Sequence, residues 1–102
     1  MNYEVLVSSS AQEDLNGIIK YISISLAAPV AASNLYQKIQ EAFDSLSNYP
    51  DAFALCLDEP WVLRNVRVMP VDNYKLFYHV NHETREVVVL RIFFYRQNTN
   101  LK

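Results

Sequence analysis

Residues 87–98 read VVVLRIFFYRQN, an apolar run that still carries two arginines, Arg91 and Arg96, five positions apart. On a strand, side chains alternate faces, so Arg91, Phe93 and Tyr95 share one side while Leu90, Ile92, Phe94 and Arg96 share the other. One side then serves as core, facing helices through Leu90, Ile92 and Phe94, and the other as a working surface.

The same period of two runs upstream. Residues 64–69 place Val66 and Val68 inward and Arg67 outward, and residues 74–80 set Leu76, Tyr78 and Val80 against Lys75, Phe77 and His79. PVDN (70–73) and NHET (81–84) are separators rich in turn-forming residues and short enough for antiparallel connections. Before them, DAFALCLDEPWVL (51–63) has no clean period and contains Pro60, which predicts a loop with a short turn of helix. Earlier still, the period becomes helical. Leu15, Ile18, Ile19, Ile22 and Leu26 form one stripe; Ala32, Leu35, Ile39, Ala42, Phe43 and Leu46 form a second, which Asn48-Tyr49-Pro50 ends.

Ser10 with Glu13 fits a capping box, and Asp14 lies where the helix dipole favours an anion. Pro29 suits the first residue of the second helix. Two or three residues separate the helices, so they fold back as an antiparallel hairpin. Gly17, the only glycine, sits inside the first helix, through either close approach of another backbone or simple tolerance. Residues 3–7 alternate weakly and predict a first strand. The expected fold class is α+β: an N-terminal strand, a two-helix hairpin, then a three-stranded antiparallel meander packed on the helices, in one domain spanning residues 1–102.

A hydrophobic content of 51% excludes a disordered chain. The N-terminus MNYEVLV has no basic leader, and the uncharged stretch around residues 22–32 contains Pro29 and is too short for a spanning helix, so a cytoplasmic protein with no membrane partner is expected. Cys56 stands alone, which excludes an intrachain disulfide and a thiolate metal cluster. The net charge of -2 conceals a polarity. Residues 1–63 hold two lysines against eight acids, a net of -6; residues 64–102 hold seven cations against three acids, a net of +4. Such asymmetry fits a basic surface meeting a polyanion or an acidic partner, and equally an ordinary charged sheet exterior.

In this order, SSSAQEDLNGIIKYI (8–22), PVAASNLYQKIQEAFDSL (29–46) with its terminating NYP, LRNVRV (63–68), NYKLFYHVN (73–81) and VVVLRIFFYRQN resemble the toxins of the RelE/ParE superfamily. The resemblance spans nearly the whole chain, and the long hairpin looks more like the ParE branch. It implies a small growth inhibitor held silent by a cognate antitoxin. RelE-like members cut mRNA on the ribosome, whereas ParE-like members poison DNA gyrase. Many members are strongly basic; a pI near 5.6 departs from that and weakens general RNA binding.

Metal-free RNA cleavage needs a base for the 2′-hydroxyl, an acid for the leaving oxygen and cations around the phosphorane. Arg64, Arg67, Arg91 and Arg96 supply cations suited to phosphate. His79, His82, Tyr95 and Glu59 are the proton-transfer candidates, none of them in a recognisable acid/base pair. Tyr95 stands near where RelE-type nucleases carry a C-terminal aromatic or histidine, yet an ordinary phenol is a poor base at neutral pH. The site residues expected of a nuclease are therefore Arg64, Arg91, Tyr95 and Arg96. The aromatics Tyr74, Phe77, Tyr78, Phe93, Phe94 and Tyr95 could stack on bases, though most suit packing against helices. His79 and His82 lack companions for a metal site, one glycine excludes phosphate-binding Gly-rich loops, and no cofactor is expected. Three functions follow: a gyrase-directed toxin, a ribosome-dependent endoribonuclease, or a degenerate, non-toxic binding module.

Overall fold

Ser8 ends the first strand and starts the first helix. In the computed structural model, which describes residues 2–59 and 61–94 without the side chains of Val62 and Leu63, strand β1 (Glu4–Val7) leads directly into helix α1 (Ser9–Lys20). The Ser8 amide donates to the Val89 carbonyl at 2.9 Å, its Oγ accepts from the Ala11 amide at 3.0 Å, and the same hydroxyl donates to the Leu90 carbonyl. This corrects the expected Ser10/Glu13 capping box. The sheet holds Ser8 at the N-cap position, so Ser10 and Glu13 lie inside the helix.

The first stripe packs Leu15 fully, and Ile18, Ile19 and Ile22 partly, but it stops short of the expected Leu26. Residues Tyr21–Ser25 widen into a π-helical turn, with the Leu26 amide donating to the Tyr21 carbonyl, and the change of pitch swings Leu26 out of register. Ala27 takes a left-handed φ of 50° to reverse the chain. Helix α2 (Pro29–Asn48) then begins at its proline and buries Ala32, Leu35, Ile39, Ala42 and Leu46, with Phe43 at the margin.

The sheet order is β1-β4-β3-β2, with β2 (Arg67–Val71), β3 (Tyr74–Asn81) and β4 (Glu86–Phe94) antiparallel and β1 parallel to β4. Met69, Val71, Leu76, Tyr78, Val87, Val89 and Ile92 meet the two helices in the main core. The expected layer structure is present.

The faces of β4 differ from the simple alternation. Phe77 stands opposite Arg91 and Tyr78 opposite Val89, which leaves Leu90 as the extra residue of a β-bulge. Leu90, expected beside Ile92 and Phe94, therefore turns away from the helices. The surface it joins is not open. Trp61, Val66, Phe77 and Phe93 bury one another there, with Cys56, Val68 and Leu90 packed around them. Trp61, on a 3-10 turn at Trp61–Arg64, lies 5.0 Å from the Phe77 ring, and Phe77 meets Phe93 edge-on at 5.7 Å. Val66 and Val68, expected to face the helices, belong to this second core. Arg67, expected outward, sits on the Tyr78 side of the sheet and reaches back to the Phe53 carbonyl and Asp51.

Candidate functional site

Residues 21–37 contain no charged side chain, and they form the tip of the helical hairpin. There Tyr21, Ile24, Leu26 and Val30 are between 55 and 73% exposed. Large apolar side chains exposed together on one short uncharged segment are the kind of surface that serves as an interaction site. Beside it a groove of about 890 Å³ opens between the hairpin and the far end of the sheet. Leu26 and Leu35 from the hairpin, Tyr74 from β3, and Ile92 and Phe94 from β4 supply its apolar walls, while Glu13 and Asp72 stand among its polar lining. The Tyr74 phenol is pushed above its ordinary range by burial, and secondarily by Tyr21.

Gly17 also lines this groove. A Cβ added there would meet nothing within 4 Å. Tight packing inside the chain therefore does not account for the glycine, and tolerance does.

Arg91 is held at the boundary between the groove and the second core. Its Nε donates to Asp14 Oδ2 at 2.8 Å and its Nη2 to Oδ1 at 3.1 Å, a two-pronged pair, and Oδ2 also accepts from the Ile92 amide. The guanidinium lies 4.5 Å above the Phe93 ring. Hydrogen bonding by Asp14 raises the pKa of Arg91 above its ordinary value, which keeps the group cationic. Asp14, read from sequence as a partner of the helix dipole, instead ties α1 to the part of β4 that extends beyond β1. Nothing local signals this, because 77 residues separate the two.

Arg64 is exposed at the end of the 3-10 turn. Tyr95 and Arg96 lie outside the described residues. Of the four expected nuclease residues, then, Arg64 and Arg91 are placed, and Arg91 is already engaged by a carboxylate.

A second polar cluster gathers at the opposite end of the sheet. The Tyr3 hydroxyl lies 2.7 Å from His82 Nδ1, and His82 Nε2 lies 3.2 Å from Asp51, which also sits 3.5 Å from the Arg67 guanidinium. With the Nε2 proton directed at Asp51, Nδ1 is the acceptor for the Tyr3 hydroxyl. Sequence reading singled out His82 and Arg67, but Tyr3 and Asp51 reach them only through the fold.

Comparison with solved structures agrees with this architecture. The chain is similar to a toxin-antitoxin complex RelBE2 chain from Mycobacterium tuberculosis (22% identity, TM-score 0.66, covering 92% of this chain and 99% of that one). A chain of the chromosomal ParDE system of P. aeruginosa matches at 22% identity and TM-score 0.70, over 89% of this chain and 94% of that one. One from the archaeal RelE-RelB complex of Pyrococcus horikoshii OT3 matches at 16% and 0.64, over 95% and 99%. No curated protein matches the sequence. At the level of sequence families, residues 5–98 match the ParE toxin of the type II toxin-antitoxin system, parDE. The hairpin, the four-stranded sheet and that match over nearly the whole chain agree: this protein belongs to the ParE toxin family of type II toxin-antitoxin systems.

Proposed function

We propose that this toxin stops growth by binding and poisoning DNA gyrase in the cytoplasm, and that a cognate antitoxin silences it by laying an amphipathic helix in the groove beside the hairpin. The observation that supports the choice of target is the engagement of Arg91, the one described arginine of the expected site that a carboxylate already holds; Arg64 stays exposed. A ribosome-dependent nuclease needs guanidinium groups whose donors are free for phosphate. Here the Arg91 fork is filled by Asp14, and the sheet face behind it is packed with Trp61, Phe77 and Phe93. A toxin that works by occupying a protein needs no such free donors. Its uncharged hairpin tip suits a protein surface better than a polyanion.

The test pairs two assays of the purified chain. Relaxed plasmid is offered to gyrase with ATP, and ready-made mRNA is offered to a translation reaction whose message ends are mapped by primer extension. The expected result is lost supercoiling with an intact message. Codon-phased cuts that require ribosomes would overturn it in favour of the endoribonuclease. That second reading draws on the His82 cluster, in which Asp51 orients the imidazole and the Tyr3 hydroxyl has to leave Nδ1 before that nitrogen can take a proton; His82→Ala would then abolish cutting. Normal growth on strong expression without antitoxin, with both assays negative, would identify a non-toxic binding module.

A further inference from the structure

The tip of the hairpin is held in a shape that the period of its sequence does not ask for. The apolar stripe of α1 runs through Leu15, Ile18, Ile19 and Ile22, and an uninterrupted α-helix would bring Leu26, four residues on, to the same side. The backbone instead opens into the π-helical turn at Tyr21–Ser25, closed by the Leu26 amide on the Tyr21 carbonyl at 3.0 Å, and then sets Ala27 at its left-handed φ. A π turn and a left-handed alanine both depart from low-energy backbone, and such departures gather where a protein works. Here they have one joint effect: Leu26 stays exposed beside Tyr21, Ile24 and Val30.

Two of these four side chains belong to the hairpin groove, and two do not. Tyr21 and Leu26 line it, whereas Ile24 and Val30, 67 and 73% exposed, stand outside it as a crest. A helix laid in the groove covers Tyr21 and Leu26 and leaves Ile24 and Val30 in water. An antitoxin in the groove therefore does not account for the crest.

Charge and shape narrow what the crest meets. Every charged side chain of the protein lies outside residues 21–37, so the crest offers nothing to a nucleic-acid backbone. The helices behind it carry Glu13, Asp14, Glu41 and Asp44 against Lys20 and Lys38, an acidic balance that an anionic lipid surface repels. Two copies meeting crest to crest would join convex tips of a few side chains each, short of the roughly 800 Å² per partner that a stable interface buries. A concave apolar recess on a different protein meets all three conditions. We infer that Ile24 and Val30 are the side chains through which this toxin engages its target, seated in an apolar recess of gyrase, and that the antitoxin silences it by covering Tyr21 and Leu26, which crest and groove share. This rests on the gyrase reading of the target.

The test separates the two surfaces. Ile24→Ser combined with Val30→Ser changes only exposed side chains, so the melting temperature should stay close to that of the wild type. Inhibition of gyrase supercoiling should weaken about tenfold or more, as when buried anchors of an interface are truncated. Antitoxin affinity, read by calorimetry, should stay unchanged. Tyr21→Ser combined with Leu26→Ser should weaken both. A crest variant that inhibits gyrase as the wild type does, or that loses the antitoxin as severely as gyrase, would overturn the inference and leave the gyrase reading standing. A wild-type dimer in gel filtration that the crest variant turns into a monomer would assign the crest to a second copy and overturn it as well. Wild-type toxin without effect on supercoiling would overturn the gyrase reading itself.

Discussion

The two faces of the sheet are both buried, yet they are built in different ways. The helix side is assembled from regular elements, with strand residues at a period of two facing helix residues at a period near 3.6. The other side is closed by an irregular segment: Cys56 and Trp61 from the long connection, Val66 just ahead of β2, and a bulged Leu90. A face covered by helices announces itself in the sequence, because both partners carry the pattern. One covered by a loop does not, because the loop has no period to carry.

The sharpest way to break this comparison is to treat the second face as a mere surface. Phe77 is 1% exposed between Trp61 and Phe93, so Phe77→Ala should cost about 3–5 kcal/mol in urea unfolding, as a fully packed aromatic does. A loss below about 1 kcal/mol would mean that the irregular layer contributes nothing as a core. Next in size comes the tie between the regular and irregular sides. Asp14→Ala leaves the Arg91 guanidinium and the Ile92 amide without their partner in a partly buried place, and a loss of about 2 kcal/mol is expected. Arg91→Ala together with Asp14→Ala should cost less than the sum of the single changes, since each removes the same pair.

What could be read from the chain follows the same division. The hairpin, Pro29 at its second start and the last two strands were legible, because each rests on local spacing or on a residue with one strong preference; the strand expected at 64–69 instead runs Arg67–Val71 and takes in Pro70 and Val71 of the expected turn. The bulge at Leu90 was not, since a single extra residue in an apolar run changes no pattern until the partner strand is present. The 3-10 turn at Trp61–Arg64 matches the expected short turn, but the burial of Trp61 beneath Phe77 depends on the sheet. Asp14, Tyr3 and Asp51 were hidden for a similar reason. Their partners are 77, 79 and 31 positions away, and lone polar residues carry no signal of long-range pairing.

Tyr78 offers a smaller test, directed at the regular face. Its hydroxyl donates to the Pro50 carbonyl at 2.9 Å, and burial raises its pKa above the ordinary 10.0, outweighing Arg67, which lowers it. A phenol with a raised folded-state pKa stabilises the fold fully below the unfolded value, and that contribution is lost as pH rises through the folded value. Thermal stability should therefore fall above about pH 10. Tyr78→Phe should cost about 1 kcal/mol at neutral pH and flatten that alkaline fall. An unchanged alkaline limb would assign it to other groups.

The smallest expected effect separates stability from function at a single atom. Gly17 lies inside α1 with open space where a Cβ would go, so Gly17→Ala should stabilise the free toxin by up to about 1 kcal/mol through helix propensity alone. The added methyl also enters the groove beside the hairpin. If the antitoxin helix packs closely there, the same variant should bind it more weakly while melting at a higher temperature. These opposite signs are the informative outcome. A stabilised toxin with unchanged affinity would mean that the antitoxin helix keeps clear of Gly17, whereas a destabilised toxin would show that α1 is under a constraint at this position that the space around it does not explain.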